Sequence, residues 1–456
     1  MSFSLLPLKE ALHADPRLIP ALRGIETKHR GEVYCVGGCI RDSLLNRPVT
    51  DIDLAVSSDA MGCARIFAEA VKGAFVPLDN AEDVGRVVFR RWMTFDFASF
   101  KGQTLDEDLS RRDFTINAIA CRFSSVLEES SSLIDPLGGG ADIENKKITA
   151  VSEQAFPDDP LRMLRAYRFA AQLDFLIERN TRVGITRWAH RLPDMSKERV
   201  QDEIAVLLTQ NRAAPWIREM SRSGVLSAVL PELDQQHPFF TLEHVERILE
   251  APASTQISGL GGLVPTQRKS NRDWTWVLRL AALLIDHRPP HHRSEEWITT
   301  IATVRLRLSN REQRMLLSFL QMPVRIKTMI AESNVTDDAL YGISRHSGED
   351  TGGVILLTLA LCQADDIDVS TYLPSLDRLV GLDERRQAVQ AGPRLVTGDD
   401  LITLFDLQPG PRLGVLLERL EMKQVTDDIR TREEALAAVE SWLESVTLNG
   451  NEIAGK

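Results

Sequence analysis

The chain has 456 residues, 43% of them hydrophobic and 26% charged, with a formal net charge of −11. That length supplies material for several domains with buried cores, and the balance is that of a soluble globular protein. It excludes a surface coated in basic residues but leaves room for a local basic groove, because nucleic-acid contact depends on where Lys and Arg cluster. Cys35, Cys39, Cys63, Cys121 and Cys362 show neither zinc spacing nor a disulfide framework, as expected in a reducing cytoplasm. The N-terminus lacks the basic start and long apolar core of a signal peptide. The most apolar helix candidate, Trp276 to Ile285, is too short to span a bilayer and carries Arg279, so no membrane is expected as a partner.

Residues 1–30 read as one or two short helices leading into a strand, Val33 to Val36. Gly37 and Gly38 end that strand, and a short helix-like segment follows. Next, Asp51 and Asp53 alternate with Ile52 and Leu54, the strand period, which puts both carboxylates on one face. Paired carboxylates are best tolerated around a divalent cation, and Mg²⁺ prefers a few carboxylates plus substrate phosphates. Glycines let backbone N–H groups approach those phosphates. A phosphate loop followed by paired ligands is the logic of nucleotidyl transfer by two metals about 3.5–4 Å apart. The bland alternative is a turn and an edge strand with a solvated acidic face.

Ala60–Val71 has helical spacing, and Phe75–Pro77, Arg86–Arg90 and Thr94–Ala98 are strand candidates. Asp96 is a third acid on an apolar strand, either solvated at an edge or acting beside Asp51 and Asp53. Leu109 to Ala120 reads as charges leading into a helix-like run. There Asp113 either caps the helix or, with Arg111 and Arg112, holds a triphosphate and a ribose hydroxyl. Residues 135–142, Asp-Pro-Leu-Gly-Gly-Gly-Ala-Asp, read as a turn and a hinge closing the first domain. A helix is expected from Asp158, with Arg162, Arg165 and Arg168 drifting around one side and Met163, Leu164, Phe169 and Leu173 on the other. Asp159 and Arg162 lie one turn apart, with edges able to hydrogen-bond a base. Ser196 is the expected N-cap of a further helix. Beyond residue 212 the chain reads as helices, with an exposed loop at 251–271 and a frayed tail at 449–456.

In this order, Gly37-Gly38 through Asp51-Ile-Asp53, Arg111-Arg112-Asp113-Phe-Thr-Ile-Asn117-Ala, Asp135-Pro-Leu-Gly-Gly, Asp159-Pro-Leu-Arg162-Met-Leu-Arg165 and Ser196-x-Glu198-Arg199 resemble the motifs of class II tRNA nucleotidyltransferases. That family includes CCA-, CC- and A-adding enzymes and bacterial poly(A) polymerases, and the resemblance covers about residues 30–205. It implies an α+β chain. A nucleotidyltransferase head with a small mixed sheet (1–150) precedes an all-helical neck for base recognition (151–212), body (213–320) and RNA-binding tail (321–456). It also implies that Asp51 and Asp53 hold Mg²⁺, with Asp96 a third catalytic carboxylate able to share a metal. Gly37, Gly38, Arg41, Arg112, Asp113, Asn117, Asp159, Arg162 and Arg165 would bind nucleotide, Asp159 and Arg162 serving as a template for C or A. The family's template motif normally opens Glu-Asp, and here it opens Asp158-Asp159. The implied substrates are the tRNA 3′ end and acceptor arm with CTP, ATP or both.

Thr241-Leu-Glu-His244 and Ile285-Asp286 resemble a metal phosphohydrolase fragment. Ile285 occupies the place of its histidine, so a structural histidine is expected at 244 in a degenerate HD-like region. CCA-adding relatives usually carry a long loop between the third acidic strand and the Arg-Arg-Asp motif, and it helps the site change from CTP to ATP. Here that segment is short, with a tight turn at Lys101-Gly102-Gln103. The expectation is therefore a partial, CC-adding enzyme working with a complementary nucleotidyltransferase. The alternatives are a poly(A) polymerase and a catalytically silent RNA-binding protein.

Overall fold

The structure is a computed structural model, and it describes residues 4–28, 32–90, 92–128, 132–233, 239–251, 255, 257, 271–287, 294–426 and 428–448. The chain divides into two compact units, Met1–Pro231 and Glu232–Lys456. Most of the expected loop at 251–271 and all of the expected tail at 449–456 lie outside the described residues.

The first unit is built on a mixed sheet of seven described strands: β1 (Val33–Val36), β2 (Asp51–Val56), β3 (Ala74–Asp79), β4 (Val84–Phe89), β5 (Met93–Ser99), β6 (Ala120–Arg122) and β7 (Leu133–Ile134). Their order is β3-β4-β5-β2-β1-β6-β7. β2 and β5 run parallel, and the other neighbours are antiparallel. Alternation along β2 and β5 separates two faces. Ile52, Leu54, Phe95 and Phe97 are buried, and the helix Ala60–Val71 supplies Phe67 against Phe95 and Phe97 at ring distances of 4.7 and 5.4 Å. Each buried aromatic of this kind stabilises by roughly 1.5–3 kcal/mol relative to exposure. Asp51, Asp53 and Asp96 are left on the opposite face.

One local expectation is corrected and another is filled in. The helix expected across 109–120 does not form. A short helix, Leu105–Ser110, ends first; a single 3₁₀ turn, Thr115–Asn117, follows; and Ala120 already belongs to β6. The reason is pairing at a distance. Thr115 N–H donates to the Thr149 carbonyl, Val151 N–H donates to the Asp113 carbonyl, and Phe114 bridges to Ala150. The segment 135–142 turns as expected and also opens a helix. Asp135 accepts hydrogen bonds from Gly139 and Gly140 N–H and so caps the helix Gly139–Glu144. A Cβ on Gly139 would lie 2.1 Å from the Thr115 carbonyl oxygen, so glycine permits a contact that ties the turn to the 113–117 segment.

Past this turn, β8 (Lys147–Ile148) pairs in parallel with β9 (Leu176–Ile177). The helix expected from Asp158 runs instead from Arg162 to Leu173, with Asp159 extended before it. Ser196 accepts from Arg199 N–H and caps Lys197–Leu208 as expected.

The second unit is helical throughout its described residues. The longest helix among its described residues, Asn310–Ala331, opens on a capping box between Ser309 and Glu312. Thr351–Ala364 is almost wholly buried. His244 Nδ1 lies 2.9 Å from Gln363 Oε1, and Asp286 accepts from Thr241 N–H and Oγ1. Both positions of the hydrolase-like fragment thus take part in helix contacts. No described helix is long and apolar enough to cross a membrane.

Candidate active site

The carboxylate row comes first. β2 and β5 align Asp51 with Thr94 and Asp53 with Asp96, so three acids share one face. Asp51 is exposed and accepts from Thr94 Oγ1. For Asp53, burial pushes the carboxyl up, Arg112 pulls it back, and Asp96 and Asp51 push it up again, to about 6. A half-buried acid crowded by like charges suits a hard divalent cation. Among the described residues no cage of three or more His, Cys, Asp or Glu is gathered, so an ion on Asp51 and Asp53 would need substrate or water oxygens as well. Asp96 gives both oxygens to Arg86, at 2.7 Å each.

The glycine pair closes β1. Gly37 has φ +70°, and a Cβ there would come 2.9 Å from Arg112 Nη1 and 3.6 Å from Asp53 Oδ2. The positive φ favours glycine, and a Cβ would displace the Arg112 guanidinium. The Gly37 N–H is committed to the Ile119 carbonyl, so Gly37 shapes the loop rather than presenting that donor to a phosphate.

A cleft of about 440 Å³ opens from Gly37, Gly38 and Asp53 towards the helix Arg162–Leu173. Its central anion is Asp113. Burial alone would raise this carboxyl, but Arg165, Asn117 and its neighbour's N–H outweigh burial and hold it at about 2. Arg165 donates Nε and Nη2 to Asp113 Oδ2 at 2.9 and 2.6 Å. Asn117 donates to Oδ1 at 3.0 Å and accepts from Arg41 Nη1 at 2.6 Å. Arg41, Arg165 and Arg168 all lie over the Phe169 ring, at 4.9, 5.3 and 4.0 Å. Glu203 takes Arg168 and Arg165 from the helix Lys197–Leu208.

The structure brings Gly37, Gly38, Arg41, Asp53, Arg112, Asp113, Asn117, Asp159, Arg162 and Arg165 to this one cleft. Asp51 and Asp96 stand beside it on the sheet face and do not line it. Asp159 and Arg162 do not pair with each other. Asp159 accepts from Arg199, and Arg162 donates to the Arg111 and Ala155 carbonyls at 2.6 and 3.4 Å. Sequence reasoning missed three contributors. Asp108 holds Arg112 at 2.9 Å, Lys101 lines the cleft, and Glu203 braces the arginines. The Asp108–Arg112 spacing of one helical turn was a usable signal; Lys101 and Glu203 left none.

A sheet that sets a glycine turn and paired aspartates beside an arginine-rich cleft defines a nucleotidyltransferase. Family models agree along the chain: "Poly A polymerase head domain" over residues 33–149, "Probable RNA and SrmB- binding site of polymerase A" over 174–236, and "tRNA nucleotidyltransferase domain 2 putative" over 305–439. The CC-adding tRNA nucleotidyltransferase of Geobacter sulfurreducens is 33% identical over 426 residues, covering 91% of this chain and 94% of that one. The A-adding tRNA nucleotidyltransferase of Deinococcus radiodurans is 31% identical over 441 residues, covering 90% and 95%. The chain belongs to the tRNA nucleotidyltransferase and poly(A) polymerase family. Its fold matches that of the Thermotoga maritima CCA-adding enzyme complexed with tRNA, with a TM-score of 0.66 at 22% identity over 96% of this chain and 100% of that one.

Proposed function

We propose that this tRNA nucleotidyltransferase adds C, and not A, to the tRNA 3′ end, taking CTP, releasing pyrophosphate and leaving the terminal A to a complementary nucleotidyltransferase. The transfer to tRNA of C, A or both is the family's activity, and poly(A) synthesis is not favoured. The single observation that carries the narrower reading is the connection from β5 to the helix Leu105–Ser110. Only residues 100–104 separate them, and they are pinned. Phe100 N–H donates to the Val56 carbonyl and its ring packs near Tyr34. Lys101 N–H donates to Asp108, Gln103 N–H donates to Glu107, and Thr104 caps the helix. A segment so tied has little freedom to act as a lever that re-forms the site for ATP.

In this reading Arg41, Arg112 and Lys101 meet the triphosphate, and Asp113 keeps Arg165 and Asn117 oriented around the ribose and phosphates. Asp159 and Arg162 offer donors and acceptors to the base edge, with Arg199 steadying Asp159. Asp51 and Asp53 would hold Mg²⁺, which when bound supplies activation of the RNA 3′-hydroxyl and charge neutralisation at the leaving pyrophosphate. We place the reaction in the cytoplasm, in keeping with five buried cysteines that form no disulfide. The test offers tRNA ending at the discriminator base, at C and at CC, with CTP, ATP or both. The expected product is CC on the shortest substrate and no A on any. Completion of CCA by the protein alone would overturn the CC-only reading, and addition of A alone to the CC substrate would reverse it.

A further inference from the structure

One arrangement on the sheet face runs from the nucleotide cleft out beyond it. Asp53, Asp96 and Arg86 stand in a row across three adjacent strands: Asp96 is the β5 partner of Asp53, and Arg86 is the β4 partner of Asp96. Arg86 and Asp96 form a two-pronged pair through Nε and Nη2, 2.7 Å to each oxygen. An exposed cross-strand ion pair usually contributes little to stability, roughly 0.2–1 kcal/mol. This one differs in its position. It ends a row of carboxylates, its cation feels Asp51 and Asp53 as well as Asp96, and it uses both oxygens of the third acid. A carboxylate gripped by a guanidinium fork must give up a strong, charge-assisted bond before it can ligate anything else.

We propose that Arg86 is a positioning residue that withholds Asp96 from the divalent cations at Asp51 and Asp53, its guanidinium standing in for a further cation beside the pair. The inference rests on the metal reading of those two aspartates. It makes the resting protein bind fewer or looser ions than three carboxylates in one row would otherwise hold.

The test is direct cation binding by the full chain, with Mn²⁺ followed by electron paramagnetic resonance and Mg²⁺ by calorimetry. Arg86→Met removes the charge at similar bulk, Arg86→Lys keeps the charge without the fork, and thermal melting verifies that each variant is folded. Arg86→Met is expected to bind Mn²⁺ roughly ten-fold more tightly or to gain a site, with Arg86→Lys in between. In an Asp96→Asn background, Arg86→Met should add less than two-fold, because the effect passes through Asp96. Unchanged or weakened binding in Arg86→Met overturns the proposal and leaves a merely structural pair, which would lower melting temperature alone. No binding by the unaltered protein would overturn the metal reading, and the lock with it. A gain of the same size in the Asp96→Asn background would show that Arg86 acts by long-range charge alone, and that too overturns the lock.

Discussion

Each unit of the molecule has a buried aspartate tied down by an arginine, and only one of the two faces a cleft. In the first unit Asp113 is held by Arg165 and Asn117, and all three line the cleft. In the second, Asp383 is 1% exposed and accepts from Ser344, Thr351, Arg386 and Gln387, joining the helices Asp337–Ser347, Thr351–Ala364 and Leu373–Ala391. The chemistry of the two nodes is similar, so a buried ion network does not by itself mark a site. The surroundings make the difference. The cleft around Asp113 is lined by seven cationic side chains against five carboxylates, in a chain of net charge −11. That local excess of positive charge awaits an anion. Around Asp383 the donors face inward, and what they hold is the packing of helices.

The comparison is tested most strongly by separating activity from stability. Asp51→Ala or Asp53→Ala should lower turnover by at least about 10²–10³ while the fold persists, since these carboxylates serve charge rather than core. Steady-state extension assays alongside melting curves check this, and near-normal turnover would end the paired-carboxylate reading. Asp383→Ala should do the reverse. Leaving Arg386 buried without its partner should cost about 3–5 kcal/mol in denaturant unfolding, with CTP affinity kept below the new midpoint.

A narrower probe is Arg162→Ala. It should reduce the preference for CTP over UTP and GTP by roughly ten-fold or more, because a site built on hydrogen bonds rejects mismatched partners strongly. A variant that is slower yet equally selective would show that Arg162 only joins the Arg111 carbonyl to its helix.

The smallest effect is a pH dependence of opposite sign at two acids of the same cleft. The folded pKa of Asp53 is raised to about 6, so without metal its contribution is best at low pH and is lost as pH rises from the unfolded value towards 6. The folded pKa of Asp113 is lowered to about 2, so its contribution is full above the unfolded value and is lost as pH falls towards 2. Melting with and without added Mg²⁺ should therefore show the ion stabilising more at pH 8 than at pH 5. Asp53→Asn should abolish that difference, and its survival in the variant would remove Asp53 as the ion's partner.

Much of the site was legible in the sequence because its signals are local. Strand alternation placed Asp51 and Asp53 on one face, a capping serine marked the helix after 196, and the order of short motifs named the family. The periodicity at 109–120 misled because Phe114 and Thr115 pair with residues 149–150, and a helical pattern yields where distant backbone supplies the hydrogen bonds. Tertiary structure alone decided that Asp96 faces Asp53 on one side and Arg86 on the other. It also decided that Asp113 answers Arg165 across 52 residues as well as the Phe114 N–H of its own segment, that Lys101 lines the cleft and that Glu203 braces its arginines. Local spacing fixes which way a side chain points along its own element. Which partner it meets depends on strand register and on the packing of elements far apart in the chain, where charge and burial settle the pairing.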